Sequence, residues 1–436
     1  MRFMAADVAT ATGGRLVGQN AHLSGVSFDS RTLVAGQLFV PIVAARDGHE
    51  FISDAVARGA GAYLTTREPE GRRSAVVVGD TLVALMQLGK WARQRLDAQV
   101  NGRVVGITGS VGKTSTKDMV AAALAPGFRV AASERSYNND QGLPVTILNA
   151  DDAVEALVLE MGMRGFGEIT RLTEIGRPTI GVVTAVGHAH TERVGGLEGV
   201  AKAKGELVEA LPSTGFAILN ADDERVAAMS GRTSARVLTY GEAKSADVRV
   251  SKLESDELGH HSFTADTPWG GAEVRLKVPG RHMVSNALAA LAVAGACNAD
   301  MGASARALEG VSMSPMRMQE RRTKAGALLL DDCYNANPTS MDAALATLSL
   351  VAAQSRIAVL GEMAELADSD MHHRLIAARV AELGIELIAV GTSLYGTAEH
   401  TVEQAASLLS DRGNGAAILV KGSRVAALER LVNLLV

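Results

Sequence analysis

Cysteine is nearly absent from this chain. Cys297 and Cys333 are the only two in 436 residues, which gives no disulfide framework and suits a reducing cytoplasm. An excess of positive charge is also missing: the formal charge is −5, and a nucleic-acid binder would carry a basic footprint. Any anionic substrate must therefore meet positive charge that is local. The opening MRFMAADVATATGG lacks a basic start followed by a sustained apolar run, so no export signal is expected. The most apolar helical stretch, ALAALAVAGAC (287–297), is too short to span a bilayer. No low-complexity linker and no short-period repeat interrupts the chain. These absences point to a cytoplasmic globular protein. Its length exceeds what one core usually organises, so two or three domains are expected.

Three units can be read along it. Residues 1–79 form a small α/β segment closed by the apolar run AVVVGD, and TLVALMQLGKWARQRL (81–96) has helical spacing. Across 80–312, the runs RVVGI, FRVAAS, ALVLEM, IGVVTAV and FAILNA alternate with helical segments, the signature of strands buried on both faces of a parallel sheet. Between 246 and 279 the pattern turns to short alternating strands, which predicts an antiparallel patch on that sheet. Residues 313–436 repeat strand and helix four times (GALLLDD, RIAVLGEM, IELIAVG, AAILVKGS), a doubly wound pattern. Ligands of such folds bind at the carboxyl ends of the strands, where Asp331, Asp332, Glu362, Lys421 and Ser423 stand.

The chemistry concentrates in a few stretches. TGSVGKTS (108–115) follows a strand and opens a helix, so its glycines would let backbone amides wrap a phosphate at a helix N-terminus. Lys113 would reach the β- and γ-phosphates and Thr114 would ligate Mg²⁺. Ile107 stands where the longer G-x-x-x-x-G-K form needs glycine. Glu160 ends an otherwise apolar strand, where it could hold Mg²⁺ or simply cap a loop. His188 and His190 follow another buried strand. In GVAKAKGELVEAL, Lys202 and Glu206 are spaced as an i,i+4 surface pair. The alternative is a buried lysine whose neutral amine takes up CO₂ as a carbamate. Asn286 sits in an apolar helix and needs a partner, either a core group or an adenine edge. Asp332 ends a strand where ribose-binding acids occur, and Arg317 is either a phosphate donor or a surface cation beside Arg321 and Arg322.

Together these pieces resemble the Mur ligases, the ATP-dependent amide ligases of peptidoglycan precursor synthesis, over essentially the whole chain. The resemblance implies a three-domain α/β protein: an N-terminal UDP-binding domain, a central phosphate-loop ATPase domain with a parallel sheet, and a Rossmann-like C-terminal domain. The family's shorter G-x-x-G-K-T loop accounts for Ile107. By this resemblance, ATP is held by Gly109, Ser110, Gly112, Lys113, Thr114 and Ser115. Asn286 lies at the adenine, Asp332 at the ribose and Arg317 at the phosphates. Lys113, Glu160, His190 and Lys204 are the catalytic set, with Thr114, Glu160, His190 and a carbamylated Lys204 holding Mg²⁺. FDSRTLVAGQLFVP (28–41) is similar to the uridine-diphosphate domain and brings in Ser30 and Arg31. SYNNDQGLPVT, DDCYNANPTSM, VLGEMAEL and LVKGSR resemble the branch that joins D-alanyl-D-alanine to UDP-N-acetylmuramoyl-tripeptide. They add Asn138, Asn139, Tyr334 and Asn335 as substrate contacts. The sister branch, which adds a diamino acid to the UDP-linked dipeptide, is the alternative; its DNPR motif does not occur here. The family's adenine-site helix usually opens His-Asn, and here Met283 follows His282. The resemblance further implies a cytoplasmic enzyme, expected to be a monomer, with no nucleic-acid partner.

Overall fold

The computed structural model describes residues 1–436 other than 70, 72, 135, 189 and 190. The chain builds three large sheets in succession. The first has five strands in the spatial order Arg15–Val17, Ser74–Val77, Ala62–Thr65, Leu38–Phe39, Val26–Ser27; the first pair is antiparallel and the rest parallel. The helix Thr81–Arg95 then leads into the second sheet. It starts where the Asp80 carboxylate accepts the Leu82 and Val83 N–H groups, at 2.8 and 2.9 Å, satisfying two donors that the helix itself leaves open.

The central sheet has nine strands. Seven are joined by parallel pairings, with Val104–Thr108 flanked by Ala156–Glu160 and Ile180–Val183. Every residue of these three strands is buried, which is why they read as unbroken apolar runs. Register matters most here. Glu160 pairs with Ile107 and Val183 with Thr108, so the three strands end level and their following loops share one edge of the sheet. At the far side, Val248–Ser255, His261–Thr267 and Gly270–Arg275 form the expected antiparallel patch.

The third sheet has six strands, in the order Gln319–Arg322, Leu328–Asp331, Ala416–Lys421, Ser355–Leu360, Glu386–Val390, Glu399–His400; only the first is antiparallel. The helix Pro338–Leu350 begins at Asn337, whose side chain accepts the Ser340 N–H at 2.9 Å, with proline at its first position.

The helix His282–Ala296 is buried almost throughout and packs along Lys113–Leu124. Leu288 and Leu291 share one hydrophobic cluster with Leu345, Leu348 and Val351 of the last unit. Each large side chain so buried contributes roughly 1.5–3 kcal/mol, and the cluster runs without a break from the second unit into the third. The Ala352 N–H donates to Glu257 O at 2.7 Å across the same seam. Among the described residues, no helix is long and apolar enough to cross a membrane.

Candidate functional site

The level strand ends put three loops side by side. Gly109 to Gly112 leave Thr108 and turn into the helix Lys113–Leu124, which starts at Gly112. Gly112 has φ 83°, a left-handed conformation that favours glycine. At Gly109 a Cβ would lie 1.8 Å from Thr184 Oγ1 in the neighbouring loop, so the backbone passes where no side chain fits. The Ser110 hydroxyl both accepts the Gly187 N–H at 2.9 Å and donates to Gly187 O at 3.0 Å. Ser115 is buried in the first turn of the helix. Lys113 arches back to donate to Gly109 O at 2.7 Å. The result is a braced loop whose helix-end N–H groups are available to an anion.

Beside it, the Thr114 hydroxyl donates to Glu160 Oε2 at 2.8 Å, and Asn138 Nδ2 donates to Glu160 Oε1 at 2.8 Å. Both Thr114 and Glu160 are buried. A hydroxyl and a carboxylate oxygen are the donor set magnesium prefers, and the sequence separates them by 46 residues. Arg317, from the start of the last unit, sends Nη2 to Thr114 Oγ1 at 3.3 Å, and its guanidinium lies over the Tyr334 ring at 4.3 Å. Burial lowers the pKa of Lys113, with Arg317 adding to that effect and Glu160 opposing it.

Lys204 lies on the helix Gly196–Glu209 with 2% of its surface exposed. Its pKa falls well below the ordinary lysine value, first through burial and then through the like charge of Lys113. His190 lies outside the described residues, so its expected place as a ligand has no geometry here. His188 is described, and its ring meets that of His372 from the last unit at 4.9 Å between centroids. Among the described residues no group of three or more His, Cys, Asp or Glu side chains is arranged to hold a metal.

The expected pairing of Lys202 with Glu206 does not form. Glu206 instead accepts the Gly167 N–H at 2.8 Å and the Thr170 N–H and hydroxyl at 3.0 Å, closing the start of the helix Glu168–Gly176. Lys202 lies over the Phe166 ring. An open helix end offers the carboxylate several fixed donors, which outweigh one solvated ammonium.

On the opposite side of the phosphate loop, Asn286 Oδ1 accepts the Thr116 hydroxyl at 3.1 Å, and a Cβ on Gly112 would lie 3.0 Å from the same oxygen. His282 is half-buried, and its buried Nδ1 has no partner among the described residues. Burial lowers its pKa to about 4, against the pull of Asp332 and with the push of Lys421. Asp332 itself pairs with Lys421 at 2.6 Å, and Lys421 also donates to Asn335 O at 2.9 Å. Sequence reasoning placed Lys421 at a strand end without linking it to Asp332, 89 residues away.

The N-terminal candidates lie apart from this cluster. Ser30 is buried, while Arg31 is largely exposed and bonded to Asp29 at 2.7 Å. The Arg31 guanidinium holds the Asp29 carboxyl below its usual range. The bridge between the two areas is the Phe28–Tyr137 ring contact at 5.6 Å, one residue before Asn138. Asn139 serves its own backbone, accepting the Gln141 and Gly142 N–H groups.

A phosphate loop on a parallel sheet, a buried hydroxyl–carboxylate pair beside it and an arginine delivered by a separate α/β unit define a nucleotide-dependent enzyme of the phosphate-loop class. The chain belongs to the Mur ligase family: residues 107–294 match the Mur ligase middle domain and residues 316–435 match the Mur ligase, glutamate ligase domain. It is 41% identical over 403 residues to the UDP-N-acetylmuramoyl-tripeptide–D-alanyl-D-alanine ligase of Mycobacterium bovis, covering 86% of this chain and 79% of that protein. With the enzyme of the same name from Escherichia coli it shares 36% over 438 residues, covering 97% and 96%. The crystal structure of MurF ligase from Thermotoga maritima in complex with ADP superposes with a TM-score of 0.81 at 26% identity, covering 94% of this chain and 96% of that one.

Proposed function

We propose that this chain is an ATP-dependent amide ligase that joins D-alanyl-D-alanine to a UDP-N-acetylmuramoyl-tripeptide in peptidoglycan precursor synthesis. The observation that carries the reading is its end-to-end likeness to ligases of that specificity, 36% identical across 97% of the chain. The cluster of Lys113, Thr114, Glu160 and Arg317 supports it.

The γ-phosphate passes to the terminal carboxylate of the tripeptide, giving an acyl phosphate and ADP. The amine of the dipeptide attacks the acyl carbon, phosphate leaves, and the amine gives up its proton as the amide forms. The first step brings two anions together, so fixed positive charge must lie between them. Lys113 and Arg317 supply it, one from the loop itself and the other from the last unit. Thr114 and Glu160 fit magnesium and would hold it. Bound there, the ion supplies charge neutralisation across the phosphates. The buried Lys204 amine fits a carbamate, which together with His190 would make a second oxygen- and nitrogen-bearing site. Water would hydrolyse an acyl phosphate, and the last unit, joined to the central one through Arg317 and the shared apolar cluster, would exclude it during turnover.

Asn286 and Asp332 face the adenosine in this reading. Ser30 and Arg31 face the uridine diphosphate, and Asn138, Asn139, Tyr334 and Asn335 face the peptide ends. We further propose domain limits at 1–79, 80–312 and 313–436, supported by one large sheet falling within each span, and a monomeric cytoplasmic enzyme. The test is phosphate release from ATP with UDP-N-acetylmuramoyl-tripeptide and Mg²⁺, with and without D-alanyl-D-alanine. Release that depends on the dipeptide, matched by an equal yield of UDP-pentapeptide, is the expected outcome. Turnover with a UDP-dipeptide and a diamino acid instead would assign the chain to the sister branch.

A further inference from the structure

The stretch 310–318, which joins the helix Met301–Glu309 to the third sheet, is pinned to the phosphate-loop helix. The Ser314 N–H donates to Asp118 Oδ2 at 2.7 Å, and its hydroxyl donates to Asp118 Oδ1 at 3.1 Å. Lys117 Nζ lies 2.8 Å from that same Oδ1 and donates to Ser133 O at 2.7 Å. The Lys117 and Asp118 side chains are only 4% and 10% exposed, so these bonds are little screened by solvent. The chain of contacts continues inward. The Ser133 hydroxyl accepts the Glu160 N–H at 3.1 Å, and Glu160 accepts the Thr114 hydroxyl.

Three residues past Ser314, Arg317 arrives at Thr114 between two methionines of unusual backbone: Met316 at φ 60° and Met318 at φ 49°. L side chains adopt this region rarely, and hold it only where the surroundings impose it. Two such residues around one functional side chain need an anchor upstream and another downstream. Downstream, the Met318 N–H donates to Asp332 Oδ1 at 3.3 Å. Upstream, the anchor is Ser314 on Asp118.

We propose that Asp118, braced by Lys117, is a positioning residue: through Ser314 it fixes the linker so that Arg317 lies over the phosphate loop, and so sets the preference for a nucleotide that carries a γ-phosphate. This rests on the reading of Arg317 as the arginine that meets the phosphates. Released from Asp118, the linker keeps only its downstream ties, and Arg317 is no longer held at Thr114. Phosphates nearer the loop, held by the braced Gly109–Gly112 backbone, lose nothing.

The experiment measures binding of ADP and of a β,γ-methylene ATP analogue, each with Mg²⁺, to the full chain by calorimetry. Wild type, Asp118→Asn, Ser314→Ala, Arg317→Ala and the Asp118→Asn/Arg317→Ala double variant are compared. Asp118→Asn is expected to weaken the analogue roughly tenfold and ADP less than about twofold, the scale of one charge-assisted hydrogen bond. Ser314→Ala, which leaves the Lys117–Asp118 pair intact, gives the same selectivity at about threefold and serves where Asp118→Asn does not fold. The double variant is expected to bind the analogue no more weakly than Arg317→Ala alone. Equal weakening of both nucleotides, or full additivity with Arg317→Ala, overturns the proposal and leaves Asp118 a plain structural tie. If Arg317→Ala removes the preference for the analogue and Asp118→Asn does not, the latch alone falls. If Arg317→Ala leaves that preference intact, the reading of Arg317 falls first and the latch with it.

Discussion

Replacing Lys204 by methionine should make the protein more stable and nearly inactive. Lys204 is 2% exposed, and its pKa is pushed well below the ordinary lysine value by burial and by Lys113. Burial disfavours the charged ammonium, and methionine fills nearly the same volume without a charge. The native chain thus binds this proton less tightly than the unfolded chain does, which is a penalty at neutral pH. That penalty eases as pH rises toward the ordinary lysine range. In CO₂-depleted buffer near neutrality, Lys204→Met should therefore gain at least about 1 kcal/mol, the scale of one pKa unit. At about 2–4 °C per kcal/mol for a unit of 150–250 residues, the melting midpoint rises by several degrees. If the amine works as a carbamate, the same change removes a preorganised charged group, and kcat should drop roughly 10²–10³-fold. Bicarbonate should raise the wild-type rate and leave the variant's unchanged. Calorimetric melting and phosphate release, each with and without bicarbonate, read both arms. A variant that melts at or below the wild-type temperature, or turns over within about threefold of it, would refute the reasoning.

The remaining predictions concern three other contacts. Lys421→Met leaves the Asp332 carboxylate without its 2.6 Å partner, so urea unfolding should show a loss of about 3–5 kcal/mol, most of it recovered when Asp332→Asn is added. Glu160→Gln keeps the reach to Thr114 but removes the charge. Its midpoint of thermal unfolding should stay within about 2 °C of wild type, while kcat drops roughly a hundredfold and the Mg²⁺ needed for half-maximal rate rises. His260, on the antiparallel patch, bonds Asp256 at 2.9 Å and also Glu320 of the last unit. Burial works to lower its pKa, but the bonds to Glu320 and Asp256 prevail and raise it above the ordinary 6.5. Its contribution is fully present below pH 6.5 and is lost as pH rises through the higher native value. The melting gap between wild type and His260→Gln should therefore close on the alkaline side, and a gap that widens with pH would sink the assignment.

What could be read in advance follows from where each residue finds its partners. Val104–Thr108, Ala156–Glu160 and Ile180–Val183 were legible because a strand covered on both faces leaves no polar position, and the alternation after 246 announced its patch just as directly. Asn286 was legible as a residue in need of a partner, though not that the partner would be Thr116, 170 residues earlier. Lys202 and Glu206 misled because the i,i+4 rule counts only a residue's own helix, whereas the donors that claimed Glu206 belong to a helix end up to 39 residues before it.

Lys117 and Asp118 carry no sequence signal in TSTKDM. Their partners include a linker serine almost 200 residues on. The same cause runs through every contact that the sequence left unseen. Parallel strands need long crossovers, so residues that meet at their level ends lie far apart in the chain. A short motif can mark the loop at one strand end, as TGSVGKTS does, yet it is silent about which distant loops the register lays beside it. In this fold that register, Glu160 opposite Ile107 and Val183 opposite Thr108, turns three separate strand ends into one site. The linker that carries Arg317 then fastens the last unit onto the helix opened by the same loop.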